Sequence, residues 1–192
     1  MFDFVYTAEE TALVKSRDKG NNYSEEDGKY VPVTNEDIDR IEKKFGITFP
    51  NILREYYLKH NAKWIHGTMI NTPDGNRRSI SDILPIINTP VDKWGIKNEY
   101  SVECIKANEM NEPEEYGWAL RVRNNFIPLA GDQGSDIYYW DSNDGKVYIS
   151  FNDDEDENGL EIPYYVCSSV EEMFRLMNEA YEKEAKRCGE EE

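Results

Sequence analysis

Histidine and cysteine are scarce in this chain of 192 residues: there are two of the first, His60 and His66, and three of the second, Cys104, Cys167 and Cys188. A histidine-based metal cluster or a cysteine–histidine pair would have to be assembled from distant segments, and no spacing suggests one. The odd, scattered cysteines offer no disulfide framework and are expected to be reduced thiols. Basic residues are in deficit, 22 Lys and Arg against 39 Asp and Glu, and the formal charge of −17 repels nucleic acid and anionic lipid. No stretch approaches the roughly 20 consecutive apolar residues that span a bilayer. The start, Met1 to Tyr6, lacks the basic lead, long apolar centre and small-residue cleavage site of a secretory signal, and no repeat with a period of about 20–50 residues is visible. The expectation is a cytoplasmic protein without membrane or direct nucleic-acid contact.

What is present is a core-forming composition, with 13 Tyr, 7 Phe and 4 Trp. A compact fold of this length buries about 70% of the surface its unfolded chain exposes, so one core is expected. Residues 1–30, with their Gly, Asn, Ser and acidic clusters, read as an extension, 31–188 as a single domain and 189–192 as an acidic tail. From Thr34 a helix is expected, capped by Thr34 with Asp37 in its first turn, carrying Ile38, Ile41 and Phe45 on one face and stopping at Gly46. Pro50 opens a second helix, with Ile52, Leu53, Tyr56 and Tyr57 at helical spacing up to His60-Asn61. The two should meet at a tight corner, with Ile38, Ile41, Phe45, Leu53 and Tyr57 buried.

Beyond Asn61 short β-prone runs follow: 64–70, 80–87, 118–122, 137–140, 147–151 and 164–167. Ser101 is placed to cap a connecting helix with Val102, Ile105 and Met110. A last helix follows Ser168-Ser169, whose spacing to Glu171 and Glu172 is that of a capping box, with Val170, Met173, Phe174, Met177 and Tyr181 as its apolar stripe. The fold class is therefore α+β: a mainly antiparallel sheet of about six strands with helices at the N- and C-terminal ends.

Three blocks in this order resemble the SUKH superfamily, which includes fungal regulators of cell-wall assembly and bacterial immunity proteins. The first runs Ile38-x-x-Ile41-Glu42-x-x-Phe45-Gly46-Ile47-x-Phe49-Pro50-x-x-Leu53-x-x-Tyr56-Tyr57-Leu58-x-x-Asn61. The second is Phe126 to Asp141 followed by Gly145-Lys146-Val147-Tyr148, and the third is Ser168-Ser169-Val170-Glu171-Glu172-Met173-Phe174. Asn61-Ala62-Lys63 stands where the family often has Asn-Gly-Gly, and Gly134-Ser135 where a Gly-Gly-like pair is usual. The resemblance implies a non-enzymatic protein that binds another protein. As an immunity factor it would neutralise a cognate toxin, often a nuclease. As a regulatory scaffold it would dock several cellular proteins through disordered flanks, and neither end of this chain is long or of low complexity.

The residues themselves show no nucleophile, base and orienting group in one motif, so no catalytic residue, cofactor or metal ligand is assigned. His60, near a helix end, reads as structural. Asp154-x-Asp156-x-Asn158-Gly159 reproduces the first half of a calcium loop, but position twelve is Tyr165 instead of glutamate and a strand, not a helix, precedes it. An acidic hairpin loop is the expected reading. Asp153, Asp154, Glu155, Asp156 and Glu157 form either that solvated loop or a docking patch for a basic protein. Tyr138, Tyr139, Trp140, Tyr164 and Tyr165 are expected to alternate across strands, and outward members beside the acidic run would give aromatic anchors within a charged rim. The acidic run is expected next to Tyr148, Tyr164 and Tyr165, with Ser142 to Gly145 as a hairpin turn and Gly131 to Gly134 as a polar connection. The candidate partner-binding residues are Asp132, Gln133, Asp136, Tyr139 and 153–157, and the partner is a toxin with a basic surface.

Overall fold

The structure is a computed structural model that describes residues 33–60, 68–86, 101–103, 105–106, 123–132, 134 and 136–189. Helix α1 spans Asn35–Phe45 and α2 spans Asn51–His60. Thr34 and Asp37 form a complete capping box, the Asp37 N–H donating to Thr34 Oγ1 at 3.2 Å and the Thr34 N–H to Asp37 Oδ2 at 3.0 Å. These bonds hold the Asp37 carboxyl below its ordinary value. Its stabilisation is thus present above the ordinary aspartate range and is lost as pH falls through the lowered value. Replacing Thr34 by alanine is expected to cost about 1 kcal/mol in chemical denaturation at neutral pH, with the difference shrinking in acid.

Gly46 ends α1 in the left-handed region at φ 67°, and the Ile47 N–H reaches back to the Glu42 carbonyl at 3.0 Å. The corner into α2 is then clamped by the Glu42 carboxylate, which accepts from the Phe49 N–H at 2.8 Å and from Arg54 at 2.8 Å. Ile38, Ile41, Leu53 and Tyr57 are buried as expected, whereas Phe45 is only partly so. Phe49 carries the corner onto the sheet, its ring 5.8 Å from Tyr57 and 6.0 Å from Trp140.

Strands β1 (Thr68–Asn71) and β2 (Arg77–Ile80) pair antiparallel as a separate hairpin. The main sheet is antiparallel, with order β3-β4-β5-β6-β7, comprising Asp82–Ile83, Phe126–Gly131, Ile137–Asp141, Val147–Glu155 and Glu161–Cys167. The expected run 80–87 is therefore divided between β2 and β3. The run 118–122, residues 64–67 of the first run and Met110 of the connecting helix lie outside the described residues.

Strand β4 has no counterpart among the expected runs. Pro128 at its middle cannot donate to a ladder, and the register with β5 shifts between Pro128 and Ala130, so a bulge accommodates the proline within an inner strand. The expected hairpin turn at Ser142 to Gly145 joins β5 to β6, with Gly145 at φ 78°.

Helix α3 spans Val170–Gly189 and packs on β1, β7 and α2, burying Val170, Met173, Phe174 and Met177. The Ser169 hydroxyl accepts from the Glu172 N–H at 3.1 Å, while the Glu172 carboxylate turns back to the N–H and hydroxyl of Ser168 at 2.8 and 2.6 Å. The capping box forms with its return bond one residue early. No described helix is long and apolar enough to cross a membrane.

Candidate functional site

The β4–β5 connection and the tip of the β6–β7 hairpin lie at the same end of the sheet. Ile137, the first residue of β5, pairs with Gly131 on one side and with Ser150 on the other, and Ser150 pairs in turn with Pro163. Strand β6 continues beyond this row to Glu155, which sits opposite Glu161. Asp132 and Asp136 are thereby brought to the end that carries 153–157.

In the first segment Asp132 has a structural duty. One carboxylate oxygen accepts from the N–H of Gly134 at 2.6 Å and of Asp136 at 3.0 Å, and the other accepts from the Ser79 hydroxyl at 3.3 Å. Such self-closing turns are what aspartate offers a short connection. Asp132 and Asp136 are both half-buried. Gly131, read as part of the polar connection, is the last residue of β4, and Gln133 lies outside the described residues.

Tyr139 does not reach the surface. It is fully buried, its ring stacked 5.9 Å from Phe126, and every residue of β5 is buried with it. The expected alternation of core and exposed aromatics fails on this strand, so Tyr139 belongs to the core and not to a docking surface.

The acidic run is part strand and part turn: 153–155 complete β6, and Asp156 opens the connection to β7. Asp153, Glu155, Asp156 and Glu157 are exposed, and Asp154 is half-buried as the acceptor of the Tyr164 hydroxyl. The Asp156 carboxylate closes the turn, accepting from the N–H of Asn158 at 2.8 Å and of Leu160 at 3.0 Å, while Gly159 takes φ 70°. These bonds hold the Asp156 carboxyl below its ordinary value. The oxygens that suggested a calcium loop are thus committed to a hairpin turn and a tyrosine. Among the described residues no group of three His, Cys, Asp or Glu could hold a metal ion.

Of the three tyrosines expected beside the run, only Tyr164 is there. Tyr148 and Tyr165 face each other at the opposite end of the β6–β7 ladder, at a ring separation of 6.3 Å. On β7 the interval between these two ends runs from Tyr165 to Glu161, four residue steps or roughly 13 Å of strand.

Glu161 completes the acidic end and was not among the expected site residues. It is half-buried, and burial, with Glu155 and Asp136 nearby, raises its carboxyl above the ordinary glutamate value. Only counting the hairpin register outward from Gly159 would have found it.

Reactive side chains are not concentrated here. Cys167 is buried in β7 at the other end, its thiol donating to the Ser169 carbonyl at 3.3 Å and pushed up to about 12 by burial, which withholds the thiolate that a nucleophile requires. His60 packs its ring 5.4 Å from Tyr56 at the end of α2. What this end of the sheet offers chemically is a group of carboxylates on two neighbouring hairpins, with Tyr164 among them.

A model of the SMI1 / KNR4 family (SUKH-1) matches residues 32–176, which contain every described strand and both N-terminal helices. No curated protein and no solved structure matches the chain.

Proposed function

Because the chain belongs to the SMI1 / KNR4 family (SUKH-1), we propose that it is a non-enzymatic immunity protein that binds a cognate toxin and blocks it stoichiometrically. The observation that carries this reading is the convergence of Asp132, Asp136, Asp153, Glu155, Glu157 and Glu161 at one end of the sheet. A toxin that grips phosphates must present basic groups. An acidic surface built on two neighbouring hairpins, with Asp132 closing one connection on itself and Glu155 opposite Glu161 in the other, complements them at a smaller cost in ordering entropy than a flexible loop would incur. The net charge of −17 adds long-range attraction to such a partner.

The test is co-expression with candidate toxins drawn from the genes that flank this one. Cells carrying both should grow and yield a one-to-one complex, and cells carrying the toxin alone should arrest. Continued arrest in the presence of well-folded protein would remove the immunity reading.

A further inference from the structure

A serine hydroxyl is buried without a partner beside one of the carboxylates of the acidic end. Ser150 is 1% exposed, and its Oγ completes no hydrogen bond. Ser150 pairs with Pro163, and Glu161 lies two residues from Pro163 along β7, so alternation sets the Ser150 and Glu161 side chains on one face as diagonal neighbours. The hydroxyl is near enough to act on the Glu161 carboxyl, yet the hydrogen bond between them is not closed. Buried polar groups left in this state weaken a fold, and few are retained.

Glu161 is also unmatched. It is half-buried, and among the described residues no cation pairs with it: the groups that act on it are the Ser150 hydroxyl and the carboxylates of Glu155 and Asp136. A charge withdrawn from water is ordinarily balanced by an opposite one. The ladder beside the pair is irregular as well. From Ser150 to Glu155 strand β6 takes five residue steps where β7 takes two, from Pro163 to Glu161, so three residues of β6 stand in excess next to it. Bulges of this kind re-aim side chains beside binding sites.

We propose that Ser150 and Glu161 form the receptor for one basic side chain of the protein partner, whose N–H donors reach the Glu161 carboxylate and the Ser150 hydroxyl together. With the docking reading above as its premise, the pair supplies the anchor of that surface. A lysine ammonium or an arginine guanidinium carries several donors and no acceptor, so one such group satisfies both oxygens at once. The neighbouring carboxylates differ in kind. Asp132 and Asp156 are committed to turns and Asp154 to Tyr164, while Asp153, Glu155 and Glu157 are exposed and act through long-range attraction. A charge desolvated in the complex governs dissociation, whereas exposed charges govern encounter.

The experiment has two arms. In the first, the free protein is titrated by NMR with n-butylammonium chloride and with n-butylguanidinium chloride, against sodium chloride at equal ionic strength. The expected result is a saturating shift of the Glu161 carboxyl carbon and the Ser150 amide with at least one of the two organic cations, the amide shift being lost in Glu161→Gln. Shifts that match those in sodium chloride for both cations would overturn the proposal. Because its hydroxyl is unsatisfied, Ser150→Ala should melt no lower than the wild type. A fall of several degrees would show that the fold itself satisfies the hydroxyl, and would overturn the proposal too. In the second arm, dissociation is timed for a basic toxin that co-purifies with the protein on co-expression. Glu161→Gln is expected to speed it about tenfold or more while association changes far less. A wild-type dissociation rate in Glu161→Gln would overturn the anchor and leave the immunity reading intact, whereas failure to protect against any toxin, with the first arm positive, would remove the immunity reading alone.

Discussion

Replacing Leu53 by alanine is expected to lower the unfolding free energy by about 2–5 kcal/mol, the range found for large-to-small changes in close-packed cores. Leu53 is 1% exposed and lies on the face of α2 that also buries Tyr56 and Tyr57. That face is held in place by the clamp of Glu42 on Phe49 and Arg54, so the helix is restrained from sliding to fill the space. Restraint places the cost toward the upper part of the range, because a site that cannot collapse retains its cavity. Denaturant unfolding at neutral pH measures it. A midpoint unchanged within error would mean that the α1–α2 corner does not rest on the sheet in this way.

The second large effect is kinetic. Changing Asp153 to asparagine and Glu155 and Glu157 to glutamine together is expected to slow association with a basic toxin by about an order of magnitude at low salt, and to flatten the salt dependence. Dissociation should change far less, because steering acts mainly on encounter. These three residues are chosen for their exposure. Asp154 and Asp156 are left alone because one holds Tyr164 and the other holds the turn, so neutralising them would mix a folding effect with an electrostatic one. Exposed changes of this kind move stability by only about ±0.5 kcal/mol. Association rates measured across a salt series decide the matter, and a triple variant that associates like the wild type at every salt concentration would place binding elsewhere.

The parts of the fold that were legible in the sequence are those written in local chemistry. Thr34 with Asp37, Gly46 and Ser169 with Glu172 each satisfy helix-end groups within a few residues, so both ends of α1 and the start of α3 could be placed from the chain alone. Strand β4 was hidden because Pro128 argues against an inner strand, and only the bulge opposite β5 makes it acceptable. The exposure of Tyr139 was misjudged for a related reason. Period-two alternation reports burial only where one face of a sheet meets water, and β5 is buried throughout.

The acidic run itself was legible, but its surroundings were not. Two register irregularities along β6 and β7 determine that 153–157 lies with Tyr164 and Glu161, and not with Tyr148 and Tyr165. Irregularities of that kind leave no mark in residue spacing. The meeting of Asp136 with Glu161 likewise depends on three strands being paired in one row, which is a property of the sheet and not of any segment.

The central claim is that a protein partner docks on the carboxylate end of the sheet, and the direct test is a hydrogen-exchange footprint of the complex with a basic toxin that co-purifies with the protein on co-expression. The account predicts slowed exchange at 132–136 and 153–161 on binding, with the Tyr148 and Tyr165 end unaffected. Protection confined to that opposite end or to α1, with 132–136 and 153–161 exchanging as in the free protein, would contradict it.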